Sequence, residues 1–205
     1  MKTKLLLTAL ILAPFFVSCD KYDTIRGTQS PIGEVGVTVS SSSMPVAGVS
    51  NINAEVVSLE GGVSVFSGTA VISNSNIKNI LSNFPEVDVE GNNVTVSDIE
   101  FKLTDKGIES VSGLATGTIV EYDAKVGDEY KTSDGKRTVV SKSSEDDYMY
   151  GFFMIKVIEV EENLNNFGVK QIRYWANHRF GLVGIEFTFD DNSTANFPVY
   201  SSAEN

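Results

Sequence analysis

The residue of this chain best placed for covalent chemistry is Cys19, its only cysteine. It follows a basic start, an apolar run of 13 residues (5–17) and the small residue Ser18. These are the parts of a secretory signal with a lipoprotein cleavage box, in which the chain is cut before the cysteine and the cysteine thiol carries diacylglycerol. The sequence therefore predicts a signal peptide over residues 1–18 and lipidation of Cys19.

Two alternatives to this interpretation remain open. Phe16 stands where the bacterial box usually has leucine, whereas Val17 and Ser18 fit the pattern. Cys19 could instead be a buried structural cysteine, or the apolar run could be an uncleaved anchor. The run is shorter than the roughly 20 residues that a helix needs to span a bilayer.

The charge of the chain limits its partners. Its 205 residues include 16 basic and 27 acidic side chains, a formal net charge of −11. Without residues 1–18, which contain Lys2 and Lys4, 187 residues with a net charge of −13 remain. Such acidity disfavours nucleic acid and bare anionic lipid, which are polyanions, and it also serves plain solubility. With Cys19 lipidated, no thiol is left for a disulfide, so a hydrophobic core must hold the domain.

Catalytic groups are scarce in this sequence. His178 is the only histidine, and a hydrolytic triad would need a nucleophile beside it and a carboxylate such as Asp190 or Asp191 behind it. The chain contains no G-x-S-x-G element. We therefore predict a non-enzymatic protein with no catalytic residue and no cofactor, and rank a small hydrolase using His178 last.

Metal ligands are few as well. One histidine and a lipidated cysteine cannot supply the usual four ligands of zinc. Calcium stays open as an alternative, because residues 190–193 and 145–147 offer hard oxygen ligands, although neither loop has the EF-hand spacing. Acidic and amide residues also suit tight turns. We predict no metal site.

Aromatic residues are concentrated toward the C-terminus, where 12 of the 20 follow residue 147. Those that alternate inward along strands are expected to fill a core. Others fall near strand ends or turns, where an exposed cluster could stack on a sugar or hold a peptide. The candidate ligand-binding residues are Tyr148, Tyr150, Tyr174, Trp175 and Phe180. The alternative is that these five rings also belong to the core.

The elements that must position these residues are mostly strands. Apolar residues alternate with a period of two in roughly ten segments separated by turn signals, including Gly61-Gly62 and Asp134-Gly135. Residues 150–160 are apolar on both faces, which predicts a central strand covered on two sides. One helix is predicted at about residues 75–84. We therefore predict a mainly β fold, an antiparallel β-sandwich or a partly closed β-barrel with one short helix.

The predicted domain organisation is simple. Residues 19–33 are polar with glycine and proline, which predicts a flexible tether. A single β-rich domain is expected over residues 34–200, and any division of it would fall near residues 123–126. If the protein assembled with neighbours through strand pairing, residues 34–40 would supply the exposed edge.

The C-terminal part of the chain resembles uncharacterised Bacteroidetes lipoproteins of the outer membrane or cell surface, mainly over residues 118–200. The segments that carry the resemblance are 126–130, 134–136 and 177–184. The resemblance implies the compartment and a β-rich fold, and it brings no catalytic residues with it.

We therefore expect an exported protein that is attached to the outer membrane, on its periplasmic face or at the cell surface, through the lipid on Cys19. It would act as a binding module for a glycan, a peptide or a lipid, without nucleic acid as a partner. A structural, adhesin-like assembly subunit is the alternative.

Overall fold

The fold is built almost entirely from antiparallel strands. A computed structural model describes residues 23–113 and 116–205, so the predicted signal peptide and Cys19 lie outside the described residues. The described part contains a large curled sheet, a second sheet, a small hairpin and one short helix. The predicted mainly β fold class is confirmed. No helix in these ranges is both long and apolar enough to cross a membrane.

The strands alternate with tight turns, and the predicted hairpins at Gly61-Gly62 and Asp134-Gly135 are both present. In chain order the strands of the described residues are β1 (Thr38–Ser40), β2 (Val49–Glu60), β3 (Val63–Ile72), β4 (Val87–Glu90), β5 (Asn93–Thr104), β6 (Gly107–Ser110), β7 (Gly117–Glu121), β8 (Glu129–Lys131), β9 (Lys136–Lys142), β10 (Tyr148–Tyr150), β11 (Phe153–Ile155), β12 (Ile158–Asn166), β13 (Val169–Asn177), β14 (Gly181–Phe189), β15 (Thr194–Pro198) and β16 (Tyr200–Ser201).

Two sheets share one core. The large sheet has the order β16-β1-β2-β3-β5-β6-β7, with β4 added beside β5. The second sheet has the order β15-β14-β13-β12-β9-β8, and β10 pairs only with β11. Buried apolar residues from both sheets form the main core cluster. The chain order therefore places the two ends of the large sheet beside the two ends of the second sheet.

Helix α1 (Ser75–Leu81) begins where the sequence predicts and ends three residues early. The side chain of Asn74 caps it by accepting hydrogen bonds from the amides of Asn76 (3.0 Å) and Ile77 (3.2 Å). At the other end, Asn83 donates from its side chain to the carbonyl of Asn79 at 2.6 Å. Side-chain bonds of this kind compete with the helical ladder and end the helix before the predicted boundary.

The segment 23–33, predicted as part of a flexible tether, is packed against the sheets. Ile25 is only 1% exposed, and its amide donates to the Glu109 carboxylate at 2.9 Å. Ile32 is also buried, within a short 3₁₀ turn (Pro31–Gly33). The tether prediction is wrong for these residues, because two apolar side chains anchor an otherwise polar segment.

A buried ion pair fastens the two sheets together at one edge. Arg137 of β9 donates from Nε to Glu162 Oε2 of β12 at 2.9 Å, and from Nη1 to the carbonyls of Gly117 (2.8 Å) and Thr118 (2.9 Å) in β7. Tyr174 of β13 donates its hydroxyl to the same glutamate oxygen at 3.2 Å. This network therefore joins the last strand of the large sheet to three strands of the second sheet.

The C-terminal residues close the opposite edge. After β15 the backbone crosses from the second sheet to the large sheet, where β16 pairs with β1 over two residues of each strand. Strand β1 also pairs with β2, so it has partners on both sides. The prediction of an exposed edge strand near residues 34–40 is wrong for β1, because β16, from the far end of the chain, pairs with its free edge.

We expect Arg137→Met to lower the free energy of unfolding by about 3–5 kcal/mol, because it leaves the buried Glu162 carboxylate without its cation. The neighbouring substitution Lys136→Met is the matched control. It removes an ion pair with Glu129 whose two side chains are at least half exposed, and should cost less than about 1 kcal/mol. Urea unfolding of both variants checks this, and equal losses would contradict the structural role of Arg137.

Candidate functional site

A cavity of about 370 Å³ lies between the inner faces of the two sheets. Its wall comes chiefly from β2, β3 and β5 of the large sheet, from α1, and from β14 of the second sheet. Among the described lining residues, only Ser67, Thr69 and Ser201 carry a polar side chain. The volume falls within the roughly 300–1,000 Å³ of ligand pockets and far exceeds the voids of an ordinary core.

Small residues on the large sheet create this space. Ala54 of β2 and Ala70 of β3 occupy lining positions where a larger apolar residue would fill the gap. Gly68 of β3 has a different role, because it lets β2 approach closely: a Cβ atom there would come within 2.5 Å of the Ala54 backbone. Leu182 and Ile185 of β14 form part of the opposite wall. The wall formed by the large sheet therefore lies back from β14 because its side chains at these positions are small.

Several inward-facing apolar side chains keep accessible surface at the cavity. Phe66, Ile185 and Phe187 line it and are only half-buried, whereas Val56 and Val160 elsewhere in the same sheets are completely buried. A core side chain normally contacts neighbours on all sides. Accessible apolar surface inside the fold marks a space that the protein's own side chains do not fill.

The space opens partly to the surface, and its wall is almost entirely apolar. Water beside such a wall finds few hydrogen-bond partners, because a bound water needs two to four polar neighbours. An apolar molecule would make the contacts that the facing side chains lack. The cavity is therefore suited to an apolar guest.

The five predicted aromatic ligand-binding residues do not form an exposed stacking surface. Tyr174, Tyr150 and Phe180 are buried, and Tyr148 and Trp175 are half-buried. Tyr174 faces the Arg137 network, on the opposite side of β13 from Trp175, because successive strand residues point to opposite faces. Burial raises the pKa of Tyr174, and it raises that of Tyr148 to about 12, so both phenols are neutral at physiological pH.

The other four predicted residues meet where the inner face of the β10–β11 hairpin packs on the protein, because Tyr148 and Tyr150 belong to β10 and contact Trp175 and Phe180. Tyr148 stacks on Trp175 with ring centroids 6.0 Å apart, and Tyr150 lies 4.8 Å from the ring of Phe180. Gly184 of β14 makes room for this packing, since a Cβ there would lie 2.3 Å from the Tyr148 hydroxyl oxygen. These rings do not form the exposed cluster that was one of the two alternatives, because the inner face of the hairpin packs on the protein and the rings join a second, smaller core cluster.

The predicted central strand over residues 150–160 is wrong for residues 150–157, whereas residues 158–160 belong to β12, which pairs with β9 and β13. Gly151, with a φ of +63°, and Phe152 form a two-residue turn between β10 and β11, at the position where such turns favour glycine. The segment is apolar on both faces because one face of the hairpin packs on the protein and the other faces solvent. The sequence pattern alone did not predict that its outward residues, which include Met149 and Met154, form an exposed apolar surface. The signal in the sequence was Gly151, which is typical of a turn.

His178 and the acidic residues proposed to assist it are far apart. His178 is exposed in the turn before β14, and Asp190 and Asp191 follow the end of that strand. At about 3.3 Å per residue, β14 alone spans roughly 26 Å. The structure therefore does not bring these residues together as a hydrolytic pair.

The acidic loops have local structural roles. Asp191 accepts hydrogen bonds from the amide (2.9 Å) and hydroxyl (2.6 Å) of Ser193, and these bonds hold the pKa of Asp191 below its usual value. Asp147 likewise accepts from the Ser143 hydroxyl at 2.5 Å. Within residues 23–113 and 116–205, no three histidine, cysteine, aspartate or glutamate side chains are grouped to hold a metal ion.

Comparison with known protein families, characterised proteins and solved structures finds no match to this chain. The resemblance to Bacteroidetes lipoproteins therefore stays a prediction from the sequence. Of the features described here, the apolar cavity is the one whose geometry points most directly to a ligand.

We expect Ala70→Leu to be neutral or to raise the free energy of unfolding by up to about 2 kcal/mol, because the added methyl groups enter the cavity at about 0.8 kcal/mol each. Ala195→Leu is the matched control, since Ala195 is completely buried in the same core but does not line the cavity. Overpacking there should cost about 1–3 kcal/mol. Thermal or urea unfolding distinguishes the two, and an equal loss in both variants would show that residue 70 has no space beside it.

Proposed function

We propose that this protein is a binding module that takes one apolar, acyl-chain-type ligand into the cavity between its two sheets and performs no chemistry on it. The observation that carries this proposal is the 370 Å³ apolar cavity itself. An occupant would restore the contacts that the facing side chains lack, and would offset the cost of keeping the sheets apart.

The chemistry of the wall favours a lipid over the other two ligand classes expected from the sequence. A glycan or a peptide carries many polar groups, each of which must find a hydrogen-bond partner when it is buried. Three hydroxyl side chains among the lining residues cannot satisfy them. Four of the five aromatic rings proposed to stack on a sugar pack together where the hairpin meets the protein, and the fifth, Tyr174, lies in the main core. A hydrocarbon chain needs no such partners.

The predicted setting is consistent with this ligand. Lipidation of Cys19 would hold the domain at the outer membrane, next to a supply of acyl chains. The assembly-subunit alternative has less support, because the strand expected to provide its free edge is paired on both sides.

The test is the binding of cis-parinaric acid, a fatty acid that fluoresces in an apolar environment, to the chain from Asp23 onward. That fragment contains every described strand and both core clusters. We expect saturable binding of one molecule per chain. The double substitution Ala54→Leu/Ala70→Leu should weaken it at least tenfold, because the new side chains displace several ligand methylenes worth about 0.8 kcal/mol each.

The matched control is Val57→Leu, which adds bulk to an exposed position of β2 and should change the affinity by less than twofold. Unfolding curves of all variants would establish that each is folded under the assay conditions. Equal affinity of the cavity variant and the wild type, or tight binding of a soluble oligosaccharide in place of the fatty acid, would contradict the proposal.

A further inference from the structure

The hairpin formed by β10 and β11 turns an apolar face toward solvent. Met149 and Met154, which are cross-strand partners, are 64% and 41% exposed. Phe152 at the tip is fully exposed. Phe153 lies at the margin of this surface: it is 51% exposed, but it is the cross-strand partner of Tyr150, and its ring also contacts Tyr150 and Phe180. Single exposed apolar residues are ordinary on protein surfaces, but four within one six-residue stretch form a contiguous patch of the kind that contacts another phase or partner. We call these four residues the hairpin patch.

The opposite face of the hairpin holds it firmly on the protein. Tyr150 packs against Phe180 and Tyr200, at ring-centroid distances of 4.8 and 5.2 Å, and Ile155 is buried in the same cluster. Tyr148 stacks on Trp175. Because the inner face is fixed in this way, the outer face is presented to solvent rather than free to fold inward.

We infer that the hairpin patch inserts into the surface of a lipid bilayer with neutral, zwitterionic headgroups. The shape of the patch favours a bilayer over a protein partner. A narrow two-residue turn with a phenylalanine at its tip can enter between headgroups, whereas a flat interface would leave most of it unburied. Four side chains offer a few hundred Å² at most, well below the roughly 800 Å² per partner of a stable protein interface.

The residues around the hairpin patch fit this placement. Tyr148, Trp175 and Tyr200 lie beneath it and are half-buried. Tyrosine and tryptophan concentrate at the membrane–water interface, where one part of the ring is apolar and the other is hydrated. The acidic residues 145–147 lead into the hairpin, and the chain has a net charge of −11. Anionic headgroups would repel these acidic residues and the negatively charged chain as a whole, so the inference specifies a neutral membrane surface.

This inference goes beyond the proposed ligand binding and does not depend on it. The two sites meet at Phe180, whose ring lies in the cavity wall and also packs against Tyr150 and Phe153. Bilayer contact through the hairpin patch requires no occupant in the cavity. It can therefore be tested with the cavity filled by the Ala54→Leu/Ala70→Leu substitutions.

The experiment places a fluorescent reporter at the tip of the hairpin in the full chain. Trp175→Phe removes the only tryptophan and keeps an aromatic ring on Tyr148; Phe152→Trp then makes the tip the sole emitter. Phe167→Trp in the same background is the matched control. Phe167 is a partly exposed phenylalanine in the turn at the other end of β13, about 25 Å away along the strand. Each protein is reconstituted into phosphatidylcholine vesicles with brominated acyl chains.

We expect the emission of the tryptophan at position 152 to fall at least threefold relative to unbrominated vesicles, and that at position 167 to change little. An N-terminal lipid anchor does not affect this comparison, because both proteins carry the same one. No quenching at position 152, equal quenching at both positions, or quenching that requires anionic lipid would overturn the inference. A blue shift at position 152 that depends on protein concentration and occurs without vesicles would assign the patch to self-association instead.

A second measurement leaves Trp175 in place, in case its replacement prevents folding. Phe152→Ser/Met149→Ser in the chain from Asp23 onward should reduce partition into neutral vesicles at least tenfold, while Phe167→Ser should leave it within about twofold. Neither Phe152 nor Met149 belongs to a core cluster of the described residues, so the double variant should fold normally. Unchanged partition of the double variant would overturn the inference.

Discussion

The structure depends on a fixed separation between two apolar sheets. At one edge the Arg137–Glu162 pair, each side chain about 1% exposed, ties β7 to the second sheet. At the other edge the backbone crosses directly from β15 to β16 and pairs with β1. Because both edges are held, the sheets cannot move together, and only large side chains could fill the middle of the interface. Ala54 and Ala70 are too small to do so, and a cavity results.

The two kinds of buried feature have opposite effects on what the protein can bind. The ion pair is bonded to backbone carbonyls and to the Tyr174 hydroxyl within the fold, so it joins structural elements, and among the described residues Glu162 Oε1 has no hydrogen-bond partner. The cavity has unfilled apolar surface and few hydrogen-bonding side chains, so its wall matches hydrocarbon better than polar groups. The structural ion pair lies at one edge of the interface, and the proposed ligand site lies in its middle.

The sequence was most informative where local chemistry decides the structure. Gly61-Gly62 and Asp134-Gly135 identified two hairpins, and the helix predicted at about residues 75–84 begins at the predicted residue. Features that depend on the opposite side of the fold could not be predicted in this way. The burial of Ile25 needs Glu109, which is 84 residues away, and the cavity depends on which small residues face β14. Period-two apolar patterns do not reveal whether a face is covered, so the strand containing Phe152 was expected to be central although it forms an exposed turn.

The most direct test of the cavity as a ligand site is methyl NMR of protein labelled at isoleucine δ1 positions, titrated with a long-chain fatty acid. Ligand in the cavity should shift the methyl signals of Ile52 and Ile185 and give contacts from these methyls to acyl methylene protons. The methyls of Ile25 and Ile172, buried but outside the cavity wall, should stay unchanged. Shifts spread equally over all four methyls, or none at Ile52 and Ile185 at saturating ligand, would contradict a binding site between the sheets.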